Sequence, residues 1–138
     1  MTNNEYNEYV KQKTPNSTLF KDCIFAFLIG GLICCLGQLL LDLYKKTGLS
    51  DDIAATAVSI TLIFLSALLT GLDIYPKIAK FAGAGTIVPI TGFANSVVSP
   101  ALEAKTEGMV LGVGAKIFTI AGPVILYGTL ASFVAGIV

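Results

Sequence analysis

The stretch GAGTIVPITGFANS, from Gly83 to Ser96, gathers the residues of this chain best suited to chemistry. Gly83 and Gly85 let the backbone bend where other residues resist. Pro89 lacks an amide hydrogen and disfavours helical geometry at the Val88 before it. Thr86, Thr91, Asn95 and Ser96 bring hydroxyl and amide groups. Thr91 is placed to cap a new helix running through GFANSVVSPALEAK. The pattern predicts two half-helices joined by irregular backbone. A half-helix that begins at membrane depth presents free N–H groups and a partial positive charge, which together cradle a carboxylate. Asn95 lies one turn after Thr91 on nearly the same face. It is expected either to contact a substrate or to brace the broken backbone.

The elements that must position this stretch are written in the composition. Of 138 residues, 54% are hydrophobic and 13% charged, and mean hydropathy is +0.79. An ordinary soluble domain carries about a quarter charged residues. Four runs hold no charge at all: Ile24–Leu41, Ile53–Leu72, Phe81–Leu102 and Ile117–Val138, of 18, 20, 22 and 22 residues. At about 1.5 Å per residue, each reaches ~27 Å or more, against a hydrocarbon core of roughly 30 Å. The chain therefore reads as an all-α integral membrane protein with about four hydrophobic segments. The third is a discontinuous helix pair that either crosses the bilayer or re-enters on the same side. Unpaired backbone groups cannot face lipid, so the break must line a polar cavity or be packed in protein.

Residues 1–22 form a polar N-terminal extension and residues 23–138 the membrane domain. Tyr6, Tyr9, Val10 and Lys13 have the spacing of a short amphipathic helix ahead of Pro15. The first apolar run follows this polar segment and is not expected to be a cleavable signal peptide. Its residues Ala26, Gly30 and Cys34, with Gly31 and Cys35 beside them, form a stripe that admits a close helix neighbour. Gln38 continues that stripe, as an interhelical hydrogen bond or as part of a substrate path. Gly128, Ser132 and Gly136 make a second stripe in the last run, where Pro123 invites a kink. Thus Gly30, Gly31, Gly128 and Gly136 are expected to be helix-packing positions. In the second run, Ser59, Ala67 and Gly71 share a face with Ile63, and Asp73, Tyr75, Pro76, Lys77 and Lys80 mark an interface or loop. Residues 108–115 are either a separate short element or the start of one long helix. Lys11, Lys13, Lys21, Lys77 and Lys80, against Lys45 and Lys46, favour a cytoplasmic N-terminus.

Other chemistries find little to work with. Net charge is zero, from nine basic and nine acidic residues, which gives no nucleic-acid footprint. With no histidine and scattered acids, neither a metal site nor a cofactor is expected. Cys34 and Cys35 point about 100° apart on one helix and Cys23 lies three turns away, so no disulfide is expected. GAG follows no strand and lacks GxGxxG context, and no nucleophile–base pair stands out. A membrane enzyme is disfavoured. The rival to a transport protein is a scaffold that docks a soluble partner.

FLIGGLICCLGQLLLD, LTGLDIYPKIAKFAGAGTIVPITGFANSVVSPALEAKTEGMVLGVGAKIF and the glycine-striped last span resemble the family of stage V sporulation proteins AC and AEb. The polar N-terminal extension and TGFANS are similar to the AC branch. The resemblance implies an inner-membrane protein of the spore. It implies a channel or transporter for dipicolinic acid, carried as its calcium chelate into the forespore and out at germination. The implied partners are the AEb paralogue and the soluble AD protein, in an oligomeric assembly. The resemblance assigns no binding residues, so the candidate path residues Gln38, Gly83, Gly85, Thr86, Pro89, Thr91, Asn95 and Ser96 rest on the broken segment and the stripe.

Overall fold

The computed structural model describes residues 3–13 and 18–137, and among them all regular structure is helical. A short helix α1 (Asn3–Lys13) precedes α2 (Leu19–Lys46) and α3 (Asp51–Gly71). Then come a two-turn helix α4 (Tyr75–Ala82), a 3₁₀ turn (Gly83–Thr86) and α5 (Pro89–Glu103). A second 3₁₀ turn (Ala104–Glu107) and a π-helical turn (Met109–Gly114) lead into α6 (Ala115–Ile137). Three helical stretches are long and apolar enough to cross a membrane: Leu19–Lys46, Asp51–Gly71 and Met109–Ile137. The last of these settles the region after Gly108 as one continuous helix with a π-helical first turn.

Local chemistry explains the boundaries. Lys45 and Lys46 end α2 where cations favour the helix C-terminus, and Asp51 and Asp52 begin α3 where anions favour the N-terminus. A Lys45–Asp51 ion pair at 3.0 Å and a Tyr44–Thr61 hydroxyl contact at 2.8 Å close this antiparallel hairpin. At the far end, Asp73 turns the chain at φ 57° and pairs with Lys77 at 3.3 Å. Tyr75, Pro76, Lys77 and Lys80 therefore belong to a helix, not a loop. Pro76 sits in its first turn, where a missing N–H costs no hydrogen bond.

The buried stripe of α3 is Ala54, Val58, Leu62, Ser66 and Thr70. The face expected to pack, Ser59–Ile63–Ala67–Gly71, lies one residue over, and its Ile63 is half exposed. Small residues dominate the rest of the core: Ala82, Ala94, Ala101 and Ala104. In lipid the hydrophobic effect between helices vanishes and close backbone approach takes its place. The large apolar side chains of α2 and α6 accordingly point outward.

Two hydrogen bonds fix the direction of α5. Ser66 on α3 donates to the Thr91 carbonyl at 2.6 Å, and one turn later Thr70 bonds the Asn95 side chain at 2.9 Å. Both partners advance together, so α3 and α5 run parallel. α5 then continues eight residues past Asn95, ~12 Å beyond the level of Thr70, while α3 ends one residue after Thr70. The chain from Tyr75 to Glu103 thus enters and leaves at the same end of the bundle. Of the two arrangements open from sequence, this geometry is the one a re-entrant pair requires. α4 spans ~12 Å and α5 ~22 Å, each short of a roughly 30 Å core.

Three crossings and one re-entrant pair would put the ends of the membrane domain on opposite sides. In that arrangement Lys105 would join Lys21, Lys77 and Lys80 on one side, against Lys45 and Lys46 on the other. In a chain with Cys23, Cys34 and Cys35 replaced by alanine, Thr18→Cys and Thr106→Cys should react with an impermeant thiol reagent from one side. Thr47→Cys should react from the other. Labelling of Thr106→Cys from the Thr47 side would mean that the segment crosses after all.

Candidate functional site

The break occupies Gly83 to Val88. Gly83 has φ 51°, a region that glycine alone enters cheaply. Gly85 meets α2: a Cβ there would stand 2.5 Å from the Ala26 carbonyl oxygen and 2.8 Å from its Cα. A Cβ on Gly30 would stand 3.2 Å from the Gly85 carbonyl oxygen. The stripe on α2 therefore receives the break of its own chain, and Gly30 is an internal contact. Gly31, Gly128 and Gly136 meet nothing within 4 Å, so any packing they serve lies outside this chain. On α2 the contact falls one to two turns after Asp22, ~6–12 Å along the helix from that charge.

α5 starts earlier than expected. Pro89 is its first residue, Val88 takes the cap position with ψ 129°, and Thr91 lies inside the first turn. Proline suits that first position because its fixed φ is already helical; Thr91 is not the cap. The first intrahelical bond of α5 runs from Gly92 N to Val88 O at 2.8 Å. Ahead of it stand the N–H groups of Ile90 and Thr91, without intrahelical partners. A Cβ on Gly92 would come within 2.6 Å of the Thr86 carbonyl oxygen, so this glycine lets the two half-helices close on each other.

Side chains from α3 and α4 hold both flanks of the break. Tyr75, buried, donates its hydroxyl to the Thr86 carbonyl at 3.1 Å. Ser66, 1% exposed, donates to the Thr91 carbonyl. Thr86 in turn donates its hydroxyl to Gly83 O at 3.1 Å. Thr70 Oγ1 lies 2.7 Å from Ser66 O and 2.9 Å from Asn95 Oδ1. One hydroxyl proton cannot fully serve two acceptors. Either it is shared, or the amide is turned so that its Nδ2 donates to Thr70. In both arrangements one polar atom of the Asn95 amide remains for other partners.

That amide lines a vestibule of about 400 Å³ together with Tyr75, Thr86, Pro89, Gly92 and Ser96. Ser96 donates back to Phe93 O at 2.8 Å and is exposed there. A second cavity of about 540 Å³ lies between α2, α3 and the break, almost wholly apolar, with Thr91 on its wall. Thr91 Oγ1 is buried there without a hydrogen-bond partner. The structure thus brings Gly83, Gly85, Thr86, Pro89, Thr91, Asn95 and Ser96 together. Gln38 stands apart: it is exposed on the outer face of α2, donates to Asp42 Oδ1 at 2.9 Å and lines a separate groove with Cys35 and Lys46. Sequence reasoning missed Ser66, Thr70 and Tyr75. The signal for Ser66 and Thr70 was the four-residue spacing of Val58, Leu62, Ser66 and Thr70, which puts two hydroxyls on one face of α3; Tyr75, on α4, had no such pattern.

Residues 22–138 match the family model described as SpoVAC/SpoVAEB sporulation membrane protein. The chain is 46% identical over 141 residues to stage V sporulation protein AC of Bacillus subtilis (strain 168), covering 100% of this chain and 94% of that protein. No solved structure matches.

Proposed function

The chain belongs to the SpoVAC/SpoVAEB family of sporulation membrane proteins, and from that premise we propose that it is a subunit of a channel or transporter for dipicolinic acid. The cargo moves as its calcium chelate, into the forespore during sporulation and outward at germination, across the inner membrane of the spore. The observation that carries this reading is the re-entrant break, with its vestibule, its uncapped helix start and the free amide atom of Asn95. Dipicolinate is a planar dicarboxylate, which suits N–H donors and the positive end of a helix. Calcium offsets its charge and lowers the cost of leaving water. Gly83, Gly85, Pro89 and Gly92 shape the path; Thr86, Asn95 and Ser96 face it.

The AEb paralogue, the soluble AD protein and further copies in an oligomer are the proposed partners. Residues 123–137 of α6 are exposed throughout, and Gly31, Gly128 and Gly136 leave room for close neighbours. The same free faces favour the second reading, a scaffold that docks a partner and forms no pore. The test uses membrane vesicles holding the full chain, loaded with calcium dipicolinate. Coupling a bulky charged thiol reagent to Ser96→Cys should stop dipicolinate release. Normal release after complete modification would take the vestibule off the path and leave the scaffold.

A further inference from the structure

We infer that Tyr75 is the gate of this path, a role that rests on the reading above of the vestibule as its mouth. The vestibule and the apolar cavity are separate spaces, yet two residues line both: Tyr75 and Thr86. The partition between them is therefore the Tyr75 hydroxyl bonded at 3.1 Å to the Thr86 carbonyl. In front of this latch stand Asn95 and Ser96. Behind it stand Ile33, Leu36, Leu62 and Leu65, reaching the middle of α3.

The space behind the latch is walled almost wholly by apolar side chains and opens on the outer surface past the exposed Leu32, Leu36 and Leu68, so it offers water nothing to bind. One atom does not suit a dry space: Thr91 Oγ1, buried and unpartnered. An unmet hydroxyl of this kind is destabilising when dry and gains a partner when the compartment fills. The closed state therefore carries a polar group that only the wetted state satisfies. Turning the Tyr75 ring away from Thr86 joins the two spaces and lets water reach Thr91. The latch itself is one hydrogen bond to a backbone oxygen, so phenylalanine removes it while keeping the ring.

The test is thiol accessibility in membrane vesicles carrying the full chain, with Cys23, Cys34 and Cys35 replaced by alanine. Ser96→Cys reports the space before the gate and Leu65→Cys the space behind it. With Tyr75 in place, a charged impermeant reagent should modify Ser96→Cys and spare Leu65→Cys. Adding Tyr75→Phe should raise the labelling rate of Leu65→Cys about fivefold, the worth of one hydrogen bond of ~1 kcal/mol. Adding Tyr75→Ala should raise it further. Unchanged labelling of Ser96→Cys in each background shows that the fold persists. If Leu65→Cys reacts equally with Tyr75 present, or stays protected in both variants while Ser96→Cys reacts, Tyr75 is no gate. If Ser96→Cys itself never reacts, the vestibule is not a water-filled mouth, and the transport reading fails together with the gate.

Discussion

Gly85→Leu is expected to abolish dipicolinate release while the chain still reaches the membrane. The obstacle is backbone: the new Cβ alone would lie 2.5 Å from the Ala26 carbonyl oxygen and 2.8 Å from Ala26 Cα. A flexible side chain can step aside, but the main chain of a membrane-crossing helix cannot. Overpacking a well-packed core costs about 1–3 kcal/mol, and an obstruction by main chain belongs at the upper end. The break must therefore lift off α2, which reshapes the vestibule. Gly31→Leu is the control, because that glycine meets nothing within 4 Å and the internal packing should not notice it. Gly83→Ala should fall between the two: its space is open, but φ 51° strains any residue with a Cβ. Release at the normal rate from Gly85→Leu protein, with unchanged resistance to thermal unfolding in detergent, would show that close approach to Ala26 is not needed.

The second large effect is expected at Asn95, where bracing and cargo contact meet in one side chain. Asn95→Ala removes a partner of the Thr70 hydroxyl and also the free amide atom of the vestibule. Thr70 keeps its bond to Ser66 O at 2.7 Å, so the loss is that of one hydrogen bond, about 1 kcal/mol, and not of a stranded donor. Asn95→Ala should thus lower the abundance of the chain modestly and dipicolinate release strongly. Thr70→Val removes the same bond but leaves the amide in place, so it should match the loss of abundance while sparing release. Equal loss of release in the two variants would make Asn95 a brace alone. Normal abundance and release in Asn95→Ala would remove both roles.

The crossing helices were legible because lipid imposes a single test: enough apolar residues without charge. The break was legible for a related reason, since Gly83, Gly85 and Pro89 oppose a continuous helix wherever they stand. Its cap was misplaced by three residues, Thr91 for Val88, because a proline forbids helix behind it yet begins one well, and Pro89 does the second. The path of the third segment was not legible. Twenty-two uncharged residues suffice to cross, and what folds them back is pairing with Ser66 and Thr70, 25 residues earlier in the chain. No local pattern carries such a contact. Gln38 shows the converse: spacing placed it in line with Gly30, but a helix has more than one exposed side, and Gln38 turns toward Asp42.

The clamp on the broken backbone also dictates an order of assembly. The carbonyls of Thr86 and Thr91 are bonded by Tyr75 and Ser66, and the 3₁₀ turn between the half-helices lies against Ala26 and Gly30. Of these supports only the Tyr75 bond belongs to the re-entrant segment itself; the Ser66 bond and the seat on α2 are missing for that segment alone in lipid, where unpaired peptide groups cost several kcal/mol each. The α2–α3 hairpin, which closes on its own through Tyr44–Thr61 and Lys45–Asp51, must therefore be seated before residues 75–103 descend. The expected order of assembly then runs from the N-terminus: the hairpin serves as a template, residues 75–103 fold onto it, and α6 packs last against α5.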